Sequence, residues 1–271
     1  MSQPLVLTTT VEGVTTLTLN HPRRLNGWTA AMLGALTDAL RSAHLDADTA
    51  AVVLTGTGAY YSAGVNLGAT LRLQHPRTLH AMIAARNQAL FDAFIDLDKP
   101  IIVAVNGPAI GAPVTSATLC DAVVATESAT FLTPFARLGI TPEGCSSVMF
   151  EALMGATVAR RMLGPEAWRP TATEACAVGL IDEVVEEDAL LHRAQALARA
   201  RVETGRTFRG GFDRETLKAV NARESVALAT AFLSAPFLQG QMRFLWSKKK
   251  RQTAAMFAAL WATSPAWRLL L

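Results

Sequence analysis

The stretch TPFARLGITPEGCSS, residues 133–147, contains one carboxylate, Glu143, among mostly apolar, small and hydroxyl-bearing neighbours. A carboxylate in the first turn of a helix is stabilised by the helix dipole, and the proline just before Glu143 is typical of a helix start. A carboxylate desolvated by Phe135, Leu138 and Ile140 would instead have a raised pKa and could act as a base. Local sequence by itself favours the helix-start role.

Two passages of the chain each run from an apolar strand through a glycine-bearing turn towards a helix. The first covers residues 52–67 through YYSAGVNL, and the second covers residues 101–118 through NGPAIGAPVTSA. Backbone N–H groups at such turns are unpaired, so two that converge form an oxyanion hole without any side chain. Glycine is needed because the backbone must approach a ligand oxygen closely. Ordinary tight turns explain each passage alone, whereas the pair favours an oxyanion hole.

Other kinds of catalytic site have little support. The chain has no HExxH, Walker or GxSxG motif, and Tyr61 occupies the position where a dinucleotide fingerprint after Gly56 requires its third glycine. Three widely spaced cysteines with no CxxC pair indicate a reducing compartment and argue against a disulfide framework or a metal site. Cys145 could be a nucleophile only beside a histidine, and the five histidines are scattered, so a buried inert thiol is favoured.

Composition indicates a globular protein with a sizeable core, since 51% of the residues are hydrophobic and 17% are charged. The formal charge of +3 is too small to indicate nucleic-acid binding. Residues 248–251, KKKR, are either a solvated helix face or a phosphate contact. There is no secretory leader pattern and no apolar run of the ~18 residues that a membrane span needs, so we expect an intracellular protein without a membrane partner.

Strand and helix patterns alternate along the chain, which predicts an α/β core. A hairpin is expected through Glu12 and Gly13, and from Glu166 onward the pattern is mostly helical. We expect a core over residues 1–200 and a helical C-terminal subdomain over residues 201–271. The predicted strands are 5–11, 14–20, 51–54, 101–105 and 121–125, with a loop at 59–75 and helices at 30–44, 80–96, from Pro113, and 145–163.

The motifs in this order resemble the crotonase (enoyl-CoA hydratase/isomerase) superfamily. The resemblance is carried by YYSAGVNL, then KPIIVAV with NGPAIGA, then DAVVATESATFLTPFARLGITPEGCSS, and it covers residues 5–190 well and the remainder loosely. It implies a spiral of repeated ββα units with a helical C-terminal subdomain involved in oligomerisation and active-site cover. It also implies a homotrimer or dimer of trimers, acyl-CoA thioester substrates, and no cofactor other than the CoA of the substrate.

Residue by residue, the resemblance implies that the oxyanion-hole N–H groups belong to Val65 and Ala112. The two catalytic glutamates of the hydratases correspond to Thr115 and Phe135, which cannot ionise usefully, and the base of the mitochondrial type of isomerase also falls at Phe135. Glu143 corresponds to the catalytic glutamate of the peroxisomal type of Δ3,Δ2-enoyl-CoA isomerase. The resemblance therefore implies that Glu143 is the base.

Contacts with the CoA thioester are also implied by the resemblance. Basic residues near the phosphates would be Arg24, after the first strand pair, and Lys249, towards the C-terminus. The remaining implied contacts are Ala63, Gly64, Asn66, Leu67, Gly111 and Phe135.

The implied activity is conversion of 3-enoyl-CoA to 2-enoyl-CoA in fatty-acid β-oxidation. Two alternatives stay open: another acyl-CoA reaction on the same scaffold, such as that of a hydratase, hydrolase or decarboxylase, and a non-catalytic acyl-CoA-binding or protein-binding module. The chain ends in Leu-Leu-Leu and not in the Ser-Lys-Leu address of many peroxisomal members, so we expect a cytoplasmic location.

Overall fold

The computed structural model describes residues 3–65 and 74–267 of the chain. Its strands are β1 (Val6–Val11), β2 (Val14–Leu19), β3 (Ala51–Gly56), β4 (Ile101–Val105), β5 (Ala109–Ile110), β6 (Ala122–Thr126), β7 (Phe131–Leu132) and β8 (Glu183–Val185). Six of them form one sheet in the order β1-β2-β3-β4-β6-β8, and β5 pairs with β7 in a second, two-stranded sheet. Only the β1–β2 pair is antiparallel, so the frame is a mainly parallel α/β sheet as predicted.

The helices are α1 (Ala30–Leu45), α2 (Pro76–Ile95), α3 (Ala112–Thr118), α4 (Phe135–Leu138), α5 (Ser146–Leu163), α6 (Ala172–Ala177), α7 (Leu190–Val202), α8 (Arg214–Phe232), α9 (Ala235–Ser247) and α10 (Arg251–Trp267). The start of α1 is fixed by Thr29, whose side chain accepts a hydrogen bond from the Met32 N–H. Helix α2 begins four residues earlier than predicted, because the His75 side chain caps it and proline suits the first turn.

The central strands are buried on both faces, which explains their nearly continuous apolar sequences. Side chains alternate across the sheet: Val52 and Leu54 point into the main core with α1, α2 and α5, whereas Val53 packs on the other face against α7. The predicted hairpin is confirmed, since Val11 pairs with Val14 across a two-residue turn.

Two departures from the predicted elements lie beyond residue 140. Strand β8 extends the sheet beside β6, although the sequence predicts mostly helix after Glu166; three half-buried residues are too few to show a strand periodicity. Helix α5 is interrupted at Gly155, which has non-helical backbone angles, where the sequence predicts one continuous helix.

The C-terminal helices pack on α2. Leu79 and Ile83 of α2 belong to an apolar cluster with Phe237 and Phe257 of α9 and α10, and α8 packs along α2. The division of the chain at residue 200 stays a prediction. None of the helices in the described part of the chain combines the length and the apolar character that a bilayer crossing requires.

Candidate active site

The two glycine turns run side by side. Ser62 forms a parallel bridge with Ala109, and the Ile110 N–H donates to the Ser62 carbonyl over 3.0 Å. Three positions further along both segments, this register reaches Val65 and Ala112, so the two residues lie at the same end of the paired segments. The sheet thereby brings together two turns that are far apart in sequence.

Gly64 allows the close approach of these segments. Its φ is +82°, and a Cβ atom there would lie 2.4 Å from the Ile110 carbonyl oxygen. Any L-residue would therefore be strained and would push the turns apart. The Gly64 carbonyl accepts the Trp28 N–H over 2.8 Å, which fixes the turn from its other side.

The N–H groups of Val65 and Ala112 donate to no other residue in the parts of the chain that the structure describes. Ala112 is the first residue of α3, where helix geometry leaves the N–H without an acceptor. Two fixed, unengaged donors at neighbouring turns can hold a negatively charged oxygen.

Asn26 supports the first turn and was not singled out in the sequence. Its fully buried side chain donates to the carbonyls of Thr57 and Tyr60 over 2.9 and 2.8 Å and accepts the His21 N–H over 2.8 Å. The main-chain carbonyl of Asn26 accepts a hydrogen bond from the Ser62 hydroxyl over 2.8 Å. An Asn-Gly pair signals a turn, but these long-range partners leave no sequence pattern.

Glu143 lies in the connection between α4 and α5. Gly144 and Cys145 both have left-handed backbone angles and turn the chain into α5, and a Cβ on Gly144 would lie 2.3 Å from the Phe91 ring. The Ser146 hydroxyl donates to the Glu143 carbonyl over 2.7 Å. Glu143 thus precedes the helix, and tight packing on α2 fixes its backbone.

The Glu143 carboxyl group is buried, with 6% of the residue exposed, and no residue of the described ranges donates a hydrogen bond to it. Burial, followed by the negative charge of Glu224, raises its pKa from 4.5 to about 8. A carboxylate without hydrogen-bond donors in an apolar setting is a stronger base than one in water.

These groups face one cavity of about 490 Å³. Its walls come from α1, α2 and α8 as well as from the two turns, and Phe135, Leu138 and Ile140 line it beside Glu143 as expected. The predicted site residues that line it are Ala63, Gly64, Val65, Gly111, Ala112, Phe135 and Glu143.

Other predicted site residues lie elsewhere. Arg24 and Lys249 do not line the cavity, so their contacts with CoA stay predictions. Asn66 and Leu67 fall outside the residues that the structure describes.

Few ionisable groups reach the cavity. Thr115, at one of the acid positions of the hydratases, is buried and donates its hydroxyl to the Ala112 carbonyl over 3.1 Å. Among the lining residues in the described ranges, the carboxylates are Glu143 and Asp38, and Asp38 is exposed on α1. Glu143 is therefore the buried acid of this set.

The start of α5 is capped by a residue that the sequence did not indicate. Glu224 of α8 accepts the Cys145 N–H over 2.7 Å and the Ser147 N–H over 2.9 Å. The helix-start role that local sequence favours for Glu143 thus belongs to Glu224. Glu224 lies 79 positions after Cys145, so no local pattern could have indicated it.

A family model described as enoyl-CoA hydratase/isomerase matches residues 9–232. The chain belongs to the enoyl-CoA hydratase/isomerase family. The predicted resemblance to the crotonase superfamily and the crotonase-like α/β fold are thereby confirmed.

Two curated relatives of this family member carry isomerase names. Human enoyl-CoA delta isomerase 2 is 37% identical over 258 residues, which are 90% of this chain and 64% of that protein. The chain therefore spans less than two thirds of the length of that relative. Mouse enoyl-CoA delta isomerase 3, peroxisomal, is 33% identical over 257 residues, which are 90% of this chain and 79% of that protein.

A solved structure has the same fold. The enoyl-CoA hydratase/isomerase from Pseudoalteromonas atlantica T6c superposes with a TM-score of 0.75 at 28% sequence identity. The alignment covers 90% of this chain and 97% of that one.

Proposed function

We propose that this family member catalyses the isomerisation of 3-enoyl-CoA to 2-enoyl-CoA, with Glu143 as the base. One observation carries the proposal: a buried carboxyl group shares a largely apolar cavity with the N–H groups of Val65 and Ala112, which donate to no residue of the described ranges. The isomerase names of the relatives support the same reaction.

The proposed reaction moves one proton and no net electrons. The Glu143 carboxylate removes a proton from C2, and the C–H bonding pair forms a C1–C2 double bond while charge moves onto the thioester oxygen. The dienolate then collapses: the carbonyl reforms, a C2–C3 double bond appears, and C4 takes the proton back from Glu143. No water and no second acid take part.

The N–H groups of Val65 and Ala112 stabilise the dienolate oxygen in this scheme. Loss of one such donor typically slows a reaction by about 10²–10³-fold, so the backbone accounts for much of the catalysis. Hydration would need a second carboxyl group, so that one takes a proton from the attacking water and the other delivers a proton to C2. Thr115 and Phe135 cannot supply one, which favours isomerisation over hydration.

Several finer assignments rest on the family likeness. Arg24 and Lys249 contact the phosphates of CoA, and Ala63, Gly64, Gly111 and Phe135 contact the rest of the substrate. The protein forms trimers or a dimer of trimers and acts in fatty-acid β-oxidation. Independently of that likeness, we propose a cytoplasmic location.

The test measures, by spectrophotometry, how fast wild type and Glu143→Gln convert each member of a panel of 3-enoyl-CoA substrates. Since a general acid–base group contributes about 10²–10⁴-fold, we expect Glu143→Gln to lower kcat by about 10³-fold with CoA-thioester affinity retained. Glu151→Gln is the matched control, because Glu151 is an exposed acid on α5. Its turnover should equal that of wild type.

Three outcomes would overturn the proposal. Undiminished turnover by Glu143→Gln would show that Glu143 is not the base. A 3-hydroxyacyl-CoA product would indicate a hydratase. Binding of CoA thioesters by wild type without turnover would indicate a binding module.

A further inference from the structure

Two buried carboxyl groups lie at the start of α5, and they have different surroundings. Glu224 receives two backbone N–H groups, from Cys145 and Ser147. Glu143 receives no donor from the described part of the chain, and only 6% of it is exposed. The ionised form of Glu224 is therefore stabilised by its hydrogen bonds, whereas that of Glu143 is not.

The helix dipole adds to this difference. The first N–H groups of α5 point at the Glu224 carboxylate, which therefore sits at the positive end of the helix. Had Glu143 occupied that end, as local sequence suggests, the same dipole would have stabilised its charge and weakened it as a base. Glu224 caps α5, and Glu143 is therefore not the helix cap.

We propose that Glu224 is a positioning residue for Glu143: it anchors the Gly144–Cys145 turn to α8 and keeps a fixed negative charge beside the base. The inference rests on the proposed function only for its catalytic consequence. Of the two neighbouring acids, Glu224 holds the charge and Glu143 holds the proton in the free protein.

The causes of the pKa shifts differ between the two acids. The pKa of Glu143 is raised by burial first and by the charge of Glu224 second. The pKa of Glu224 is also raised, because burial outweighs the hydrogen bonds from Ser147 and Cys145 and the charge of Arg223, which limit the shift.

Other ionisable groups face this pair from the surrounding helices. Asp38 of α1 and Arg86 of α2 line the cavity at exposed positions, where water screens their charges. Asp92 of α2 accepts the Asn221 amide of α8 over 2.9 Å. Burial keeps the Cys145 thiol neutral by raising its pKa, and Arg137 of α4 donates to the Pro165 carbonyl over 3.2 Å. After burial, the negative charge of Glu224 is what raises the pKa of Glu143.

The experiment follows the protonated buried carboxyl group by infrared titration, without substrate. The C=O band that Glu143→Gln abolishes is assigned to Glu143, and its midpoint is compared in wild type, Glu224→Gln, Glu224→Asp and Glu151→Gln. We expect Glu224→Gln to lower the midpoint by about one pH unit, since it removes a like charge. Glu224→Asp keeps the charge, so its midpoint should stay near that of wild type, as should that of the exposed control Glu151→Gln.

An unchanged midpoint in folded Glu224→Gln would overturn the inference, as would equal shifts in Glu224→Gln and Glu224→Asp. If Glu224→Gln does not fold, Glu143→Gln decides: a carboxyl group still titrating near pH 8 would place the proton on Glu224. The pH profile of kcat/KM for 3-enoyl-CoA should move with the infrared midpoint. Failure of wild type to isomerise any 3-enoyl-CoA would sink the proposed function, while the infrared titration would still test Glu224.

Discussion

The two sides of the cavity are built in different ways. One side consists of main chain, where residues 62–65 and 109–112 are held in register by bridging hydrogen bonds and present N–H groups. The other side consists of side chains. There the backbone that follows Glu143 is held in place by packing on Phe91 of α2 and by hydrogen bonds to Glu224 of α8. The first side depends on backbone geometry, and the second depends on burial and charge.

The two sides of the cavity should therefore respond to different changes. The backbone side should fail when a side chain is added, because its donors are placed by close approach of two segments. The carboxyl side should respond to pH, because its reactivity depends on where one proton resides.

The largest effect on the backbone side is expected for Gly64→Ala. The added Cβ would meet the Ile110 carbonyl oxygen at 2.4 Å, and the positive φ of this position would strain alanine. The Val65 N–H should therefore move away from the substrate oxygen. We expect kcat to fall by about 10²-fold or more. Gly240→Ala is the control, since its Cβ would have no neighbour within 4 Å and should leave turnover unchanged. Equal turnover in both variants would argue against a backbone oxyanion hole.

The second effect is the pH dependence of wild-type kcat/KM for 3-enoyl-CoA. Burial and Glu224 raise the pKa of Glu143 to about 8, and the base must be ionised to act. The rate should therefore rise about tenfold per pH unit below that value and level off above it. A profile that is flat below pH 8, in protein shown to be folded by circular dichroism, would contradict a buried base.

The third effect concerns stability. Below pH 4.5 the carboxyl group of Glu143 is protonated in both the folded and the unfolded state; as pH rises towards about 8, only the unfolded chain releases the proton. Wild type should therefore lose stability relative to Glu143→Gln by roughly 1.4 kcal/mol per pH unit across this window. Melting temperatures of both proteins from acid to neutral pH check it. Glu151→Gln should show no such trend against wild type.

Much of the backbone side could be predicted from sequence. Apolar strands that end in glycine turns are local patterns, and the predicted strands and hairpin lie where expected. The clustering of Ala63 to Val65 with Gly111 and Ala112 required the fold, in which both turns follow neighbouring parallel strands. Strand β8 and the Asn26 contacts were not predicted, because they depend on partners distant in the chain.

The sequence alone determined the inventory of the site: two glycine turns, threonine and phenylalanine at the hydratase acid positions, and one acid in TPFARLGITPEGCSS. Only the tertiary structure decided which acid caps α5. A helix N-terminus stabilises any nearby carboxylate, and the sequence before α5 offered only Glu143. Folding brings Glu224 from α8 to that helix start, so Glu143 is left buried and receives no hydrogen bond from the residues that the structure describes.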